Sequence, residues 1–130
     1  PLGDGFMKGP RILFKTDDQS SIGRGCVTYG GHFRREIAHI LWVAARTADR
    51  SWESITVSEG WRPQDDDGRD LHPELRAFDF SLNHIDGDED DRWRAGKEWV
   101  ARMRILLGPD YQIQLHGKGR NLHIHVELDP

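Results

Sequence analysis

The sequence has one cysteine, Cys26, and lacks any long hydrophobic stretch or basic run. A single cysteine excludes an internal disulfide and permits a reducing compartment. The 18 lysines and arginines are scattered and the net charge is -4, so we do not expect the clustered positive surface of a nucleic-acid-binding protein. We also expect neither a membrane span nor a signal peptide.

The 130 residues suffice for one domain with its own hydrophobic core. Residues 1–6 (PLGDGF) resemble the remnant of a cloning tag, so the domain is expected to span residues 7–130. Hydrophobic spacing predicts helices over about residues 31–50 and 91–107. Strands are predicted at residues 11–15, 54–58, 77–82, 111–116 and 122–128. Strands joined by short loops indicate an α+β domain, with an antiparallel sheet and two main helices on one of its faces.

The closing stretch NLHIHVELDP combines an apolar and a polar pattern. Alternate side chains of a strand point to opposite faces. One face therefore carries four apolar residues expected in the core: Leu122, Ile124, Val126 and Leu128. The other face carries His123, His125 and Glu127, three groups that can bind a metal or move protons. The alternative is that they are ordinary polar residues on a solvated strand face.

A second group lies in residues 71–80 (LHPELRAFDF), where His72 precedes Asp79 by seven residues. With one histidine of the last strand, these residues would form a set of two histidines and one carboxylate. Three protein ligands plus water is the pattern of open, catalytic zinc sites, whereas a closed structural site needs four ligands, usually with cysteines. The spacing therefore favours functional over structural zinc, although His and Asp at this spacing also occur by chance.

The stretch His72-Pro-Glu-Leu-Arg-Ala-Phe-Asp79, followed by His123-Ile-His125, resembles the motif pattern of the hedgehog/DD-peptidase fold. That superfamily includes zinc D-Ala-D-Ala carboxypeptidases, LAS-type peptidoglycan endopeptidases, phage endolysins and the hedgehog signalling domain. Ala77 matches the pattern and Leu75 replaces a usual glycine, while Ser58-Glu-Gly-Trp-Arg62 resembles the strand and loop that precede the site. The resemblance covers about residues 54–129.

The resemblance implies a zinc metallopeptidase that hydrolyses peptidoglycan-type peptides, and the small single domain also resembles phage lysis and virion proteins. Its zinc ligands would be His72, Asp79 and His125. Substrate would meet Arg62, whose planar guanidinium suits a carboxylate or a developing oxyanion. The remaining residues expected to touch substrate are His123, Trp61 and Ser58. The sequence indicates neither the bond cleaved nor the oligomeric state.

The general base is where the sequence departs from the superfamily. Many relatives have a carboxylate three to six residues before the last zinc ligand, but residues 119–122 are Gly-Arg-Asn-Leu. His116 is the best substitute if the last two strands pair with their polar faces together, and Glu127 is the second candidate. This departure leaves two alternatives open: a non-catalytic zinc-binding recognition module, and a virion or assembly protein with a vestigial site.

Overall fold

The computed structural model describes residues 9–14, 35–59 and 77–129. These residues confirm the α+β class. The elements in chain order are β1 (Arg11–Phe14), α1 (Arg35–Thr47), β2 (Ser54–Glu59), β3 (Ala77–Ser81), α2 (Glu89–Leu107), β4 (Tyr111–His116), a 3-10 turn (Gly119–Asn121) and β5 (His123–Leu128). Each predicted strand is present, with ends that differ from the prediction by at most one residue.

The five strands form one sheet in the order β1-β2-β3-β5-β4. β2 with β3, β3 with β5, and β4 with β5 are antiparallel, but β1 and β2 run parallel. The prediction of an antiparallel sheet is therefore wrong for the edge pair, and the sheet is mixed. The physical reason is the connection: the chain between β1 and β2 contains α1, and a long crossover of this kind allows two strands to run in the same direction.

The core contains side chains from both helices and from the even-numbered positions of β3 and β5. Phe78, Phe80, Ile124 and Val126 are fully buried, as the alternation of the last strand predicts. They belong to one hydrophobic cluster with side chains of α1 and α2: Ile37, Ile40, Val43, Ala44, Trp99, Val100, Met103 and Leu107. Burial of this apolar face leaves the odd-numbered positions of β5 on the opposite face of the sheet.

Trp99 of α2 contacts α1 through hydrogen bonds within the core. Its indole Nε1 donates to the carbonyl of Ala44 at 3.2 Å and lies 3.1 Å from Oγ1 of Thr47. A buried indole N–H needs such an acceptor, because leaving it unsatisfied costs free energy. The contact explains how a tryptophan with a polar group can be fully buried.

α2 has well-defined ends. Asp88 caps its N-terminus by accepting from the backbone N–H of Asp91, and the Asp91 side chain accepts from the backbone N–H of Asp88. Gly108 ends the helix with φ +82°, a conformation that favours glycine, in agreement with the predicted stop. Among the helices within the described ranges, none is both long and apolar enough to cross a membrane.

The hairpin between β4 and β5 is held by contacts outside the sheet. The backbone N–H of Gly119 donates to Oε1 of Glu89 at 2.8 Å, and the Asn83 side chain donates to the carbonyl of Arg120 at 3.0 Å. Gly117 has φ +95°, and a Cβ there would lie 2.1 Å from the Asn121 carbonyl oxygen. The turn is therefore anchored to the segment that follows β3 and to the first residue of α2, which orients the start of β5.

Candidate functional site

Strand register brings the predicted site residues of three neighbouring strands together. Asp79 of β3 lies opposite His125 of β5. His123 lies opposite His116 of β4, so the polar face of β5 meets a histidine on one side and a carboxylate on the other. We call Asp79, His116, His123, His125 and Glu127 the histidine–carboxylate cluster. It lies on the face of the sheet opposite to the hydrophobic core.

His125 lies between two carboxylates. Its Nδ1 is 2.7 Å from Oδ1 of Asp79, and its Nε2 is 3.1 Å from Oε1 of Glu127. The side chain of Asp79 is only 10% exposed and that of His125 15%. An ionised carboxylate can only accept hydrogen bonds, so both ring nitrogens of His125 donate when both acids are ionised. This arrangement therefore favours the imidazolium form of His125.

The pKa of His125 reflects the same two neighbours. Burial by itself lowers the pKa of this imidazole, because it disfavours the charged form. The hydrogen bond and charge of Asp79, together with the charge and hydrogen bond of Glu127, outweigh burial. The result is a pKa raised above the ordinary value for histidine.

His123 has different partners. Its Nδ1 is 2.5 Å from the backbone carbonyl oxygen of Asn121. A carbonyl oxygen only accepts, so Nδ1 of His123 carries a hydrogen and donates it to Asn121. Nε2 of the same ring lies 3.9 Å from Oδ2 of Asp79, which is the oxygen not hydrogen-bonded to His125 Nδ1.

His116 completes the cluster from β4. Its ring lies 4.2 Å from that of His123 and 6.2 Å from that of His125, measured between ring centroids. This confirms the prediction that the hairpin brings His116 close to His123. Burial, followed by the charges of His123 and His125, lowers the pKa of His116 from its ordinary value. The lowered pKa favours a neutral ring near pH 7.

The predicted substrate-binding residues are only partly described. Ser58 lies on β2, and its Oγ donates to the backbone carbonyl of Asp79 at 3.4 Å. The pairing of β2 with β3 is irregular between Val57 and Glu59, next to this contact. The predicted residues Trp61, Arg62 and His72 lie outside the described residues. Their roles, and that of Ser58, stay predictions.

The donor atoms of the cluster suit zinc, although a complete site is not contained in the described residues. Imidazole nitrogen and carboxylate oxygen are ordinary zinc ligands. Within residues 9–14, 35–59 and 77–129, no group of three histidine, cysteine, aspartate or glutamate side chains is arranged to hold a metal ion. His123 and Asp79 offer one nitrogen and one oxygen on the same side of the sheet. The proposed third ligand, His72, lies outside these ranges.

Sequence reasoning missed the contribution of Asn121. Its backbone carbonyl sets which nitrogen of His123 carries the hydrogen. Any residue has such a carbonyl, so the residue type gives no direct signal. The indirect signal was the pair of glycines at 117 and 119, which adopt positive φ and turn the chain back toward β5.

No protein-family model, no curated protein and no solved structure matches this chain.

Proposed function

We propose that this protein is a zinc-dependent peptidase that hydrolyses peptidoglycan-type peptides, either as a D-Ala-D-Ala carboxypeptidase or as an endopeptidase, with a hedgehog/DD-peptidase-like fold. The observation that carries the proposal is the register between β3 and β5. It brings Asp79, one half of the motif at residues 72–79, directly opposite the histidine pair of β5. Asp79 and the histidine pair, which lie more than forty residues apart in the sequence, thus lie side by side, as a shared metal site requires.

Asp79 and one histidine of β5 would hold the zinc ion together with His72. When bound, zinc lowers the pKa of its water toward neutrality and polarises the substrate carbonyl. One of these ligand groups, the carboxylate of Asp79, is already held in position without the ion. The Asp79 side chain is only 10% exposed and its carboxylate is oriented by His125, so it does not have to be reorganised when the ion arrives.

His116 is the group we assign as general base. It is exposed, so water and substrate can reach it, and its ring stacks edge-on against His123. A neutral imidazole can accept a proton from the attacking water and return it to the leaving amine. Glu127 is less suited to this role because its carboxylate accepts from Nε2 of His125.

The test is a digest of purified muropeptides by the zinc-loaded protein, with the products identified by mass spectrometry. Asp79→Asn, which keeps the size of the side chain, should release no fragment. Product from the wild type alone would support the peptidase, and the fragment mass would name the bond. Absence of product from a wild-type protein shown to contain one zinc would overturn it.

His116→Ala tests the general base separately. We expect hydrolysis to fall by about 10²- to 10⁴-fold, the range for loss of a general base, with zinc content unchanged. Gln112→Ala is the matched control, because Gln112 lies on the same strand and the same face. An unchanged rate in His116→Ala would remove His116 from the mechanism and leave Glu127 as the remaining candidate.

A second function is favoured by one observation. No carboxylate occurs at residues 119–122, where many catalytic members of the superfamily it resembles have one, and the backbone carbonyl of Asn121 in this turn accepts from His123. A zinc-binding recognition module of the same fold, without hydrolysis, is consistent with this. It predicts one zinc per chain, saturable binding of muropeptides and no product.

A further inference from the structure

We infer that the outer edge of β4 is a docking site for an extended acidic peptide, which binds there as an added strand. In the sheet formed by the described strands, β4 is an edge strand that pairs with β5 on one side. Such an edge offers backbone N–H and C=O groups to an extended peptide, and strand addition is a common mode of peptide recognition. The inference goes beyond the proposed peptidase and does not depend on a zinc site.

The register of the hairpin shows which backbone groups of β4 face outward. The N–H of Asp129 donates to the carbonyl of Asp110 at 2.9 Å, and these two residues continue the register one step beyond Tyr111 and Leu128. In an antiparallel pair, hydrogen-bonded and non-hydrogen-bonded residues alternate. The even-numbered residues of β4 therefore direct their backbone groups toward β5. The odd-numbered residues direct theirs to the outer edge: Tyr111, Ile113 and Leu115.

One of these outward groups already has a positively charged partner. Nη2 of Arg104, on α2, donates to the backbone carbonyl of Ile113 at 3.1 Å. This contact agrees with the outward direction of that carbonyl, and it brings a guanidinium to the edge. A carboxylate is a stronger partner for a guanidinium than a neutral carbonyl is. An acidic side chain beside β4 would therefore draw Arg104 to itself and free the Ile113 carbonyl for an N–H of the peptide.

A second cation of α2 lies along the same edge. Trp93, Lys97 and Arg104 are spaced by four and seven residues, which places all three on one stripe of the helix. Gly96, next to Lys97, packs closely on β4, since a Cβ at Gly96 would lie 3.1 Å from the Leu115 side chain. The Lys97 ammonium lies 6.0 Å from the centre of the Trp93 ring, and Trp93 is 40% exposed. The stripe therefore offers a peptide two cations and an aromatic side chain.

The charge of this edge favours an acidic peptide over a second copy of the chain. None of the ion pairs within the described residues includes Lys97 or Arg104, so both cations are available to carboxylates. A two-fold pairing of β4 with itself would bring two copies of α2 side by side, with the cations of one facing those of the other. Like charges brought together across an interface disfavour association.

The first experiment measures peptide binding to the full chain by fluorescence anisotropy. The labelled probe alternates threonine and glutamate over about six residues, so that one face of the added strand is acidic. Arg104→Gln keeps an N–H donor and removes the charge, and we expect about tenfold weaker binding. Lys97→Gln removes an exposed charge and should weaken binding about threefold. Arg50→Gln is the matched control, because this exposed arginine precedes β2, three strands away from β4, and should leave binding unchanged.

Hydrogen exchange followed by NMR shows whether the probe binds as a strand. The backbone N–H of Leu115 faces the outer edge, whereas that of Gln114 faces β5. Bound probe should therefore slow exchange at Leu115 by at least tenfold and leave exchange at Gln114 unchanged.

The inference has several ways to fail. A second probe, in which lysine replaces glutamate, should bind at least tenfold more weakly than the acidic one. Equal binding of the two probes, no binding of the acidic probe, or binding without protection of Leu115 would overturn the inference. Protection of Leu115 that increases with protein concentration in the absence of probe would show that a second copy occupies the edge, and would overturn it too. Muropeptide hydrolysis, measured separately, tests the peptidase alone.

Discussion

His125 and His84 are both partly buried, but they differ in the partners of their ring nitrogens. His125 lies between the carboxylates of Asp79 and Glu127. His84, between β3 and α2, packs edge-on against Trp52 with ring centroids 4.6 Å apart. Both of its ring nitrogens are buried, and neither makes a hydrogen bond of ordinary geometry with the part of the chain that the structure describes.

The pKa values of the two histidines are consequently shifted in opposite directions. Burial lowers the pKa of His84, and the nearby backbone of Ser81 offsets this only in part. Burial acts the same way on His125, but two acidic partners reverse the sign and raise its pKa. The contrast shows that burial by itself lowers the pKa of a histidine in this protein, and that two acidic partners are enough to reverse the direction.

Removing Asp79 should give the largest change. In zinc-free protein, Asp79→Ala leaves the His125 imidazolium without its closest partner, and removal of one member of a buried ion pair costs about 3–5 kcal/mol. Denaturant unfolding measures the free energy of unfolding. Asp110→Ala, at an exposed turn, is the control and should change it by less than about 0.5 kcal/mol. Equal effects of the two substitutions would mean that the contact between Asp79 and His125 contributes nothing to stability.

Glu127→Gln should have an intermediate effect. Gln keeps the size and can still accept from Nε2 of His125, but it removes the charge, so we expect a loss of about 1 kcal/mol in zinc-free protein. The pH dependence of this loss follows from the raised pKa of His125. The contribution of His125 to the free energy of unfolding is complete below the unfolded pKa of about 6.5, and it is lost as pH rises through the folded pKa.

The difference between wild type and Glu127→Gln should therefore be larger near pH 6 than near pH 9, as measured by unfolding at both values. A difference that grows with pH would contradict the charged state assigned to His125. Gln112→Ala, opposite Glu127 on β4, is the control and should show no such pH dependence.

His84 should give the smallest effect, with the opposite sign. Its lowered pKa means that the unfolded chain binds the proton more readily, so wild-type stability falls as pH drops from about 6.5 toward the folded pKa. His84→Phe keeps an aromatic contact with Trp52 and removes the titrating group. Its stability relative to wild type should therefore rise as pH is lowered from 8 to 5, as followed by thermal unfolding. A relative stability that does not change with pH would show that His84 is not held neutral.

Local pattern was enough to predict much of the secondary structure. The alternation of residues 122–128 correctly separated the core residues Ile124 and Val126 from His123 and His125, because side chains of a strand alternate. Gly108 correctly marked the end of α2. The direction of β1 relative to β2 was predicted wrongly, because strand direction depends on where the intervening chain crosses and not on the strand residues themselves.

The candidate site was predictable as a set of residues on shared strand faces, and the proximity of His116 to His123 followed from hairpin pairing of consecutive strands. Its internal hydrogen bonds were not predictable. The hydrogen bonds of His125 with Oδ1 of Asp79, and of His123 with the Asn121 carbonyl, depend on side-chain and backbone positions within the assembled sheet.

The sequence by itself determined which residues are apolar or polar on each strand and where α2 ends, since both follow from local periodicity and backbone conformation. Tertiary structure alone decided the mixed sheet, the pairing of Asp79 with His125 and the isolation of His84 against Trp52. These features join segments far apart in the chain. Their register is set by how the apolar faces pack together, and no single segment contains that information.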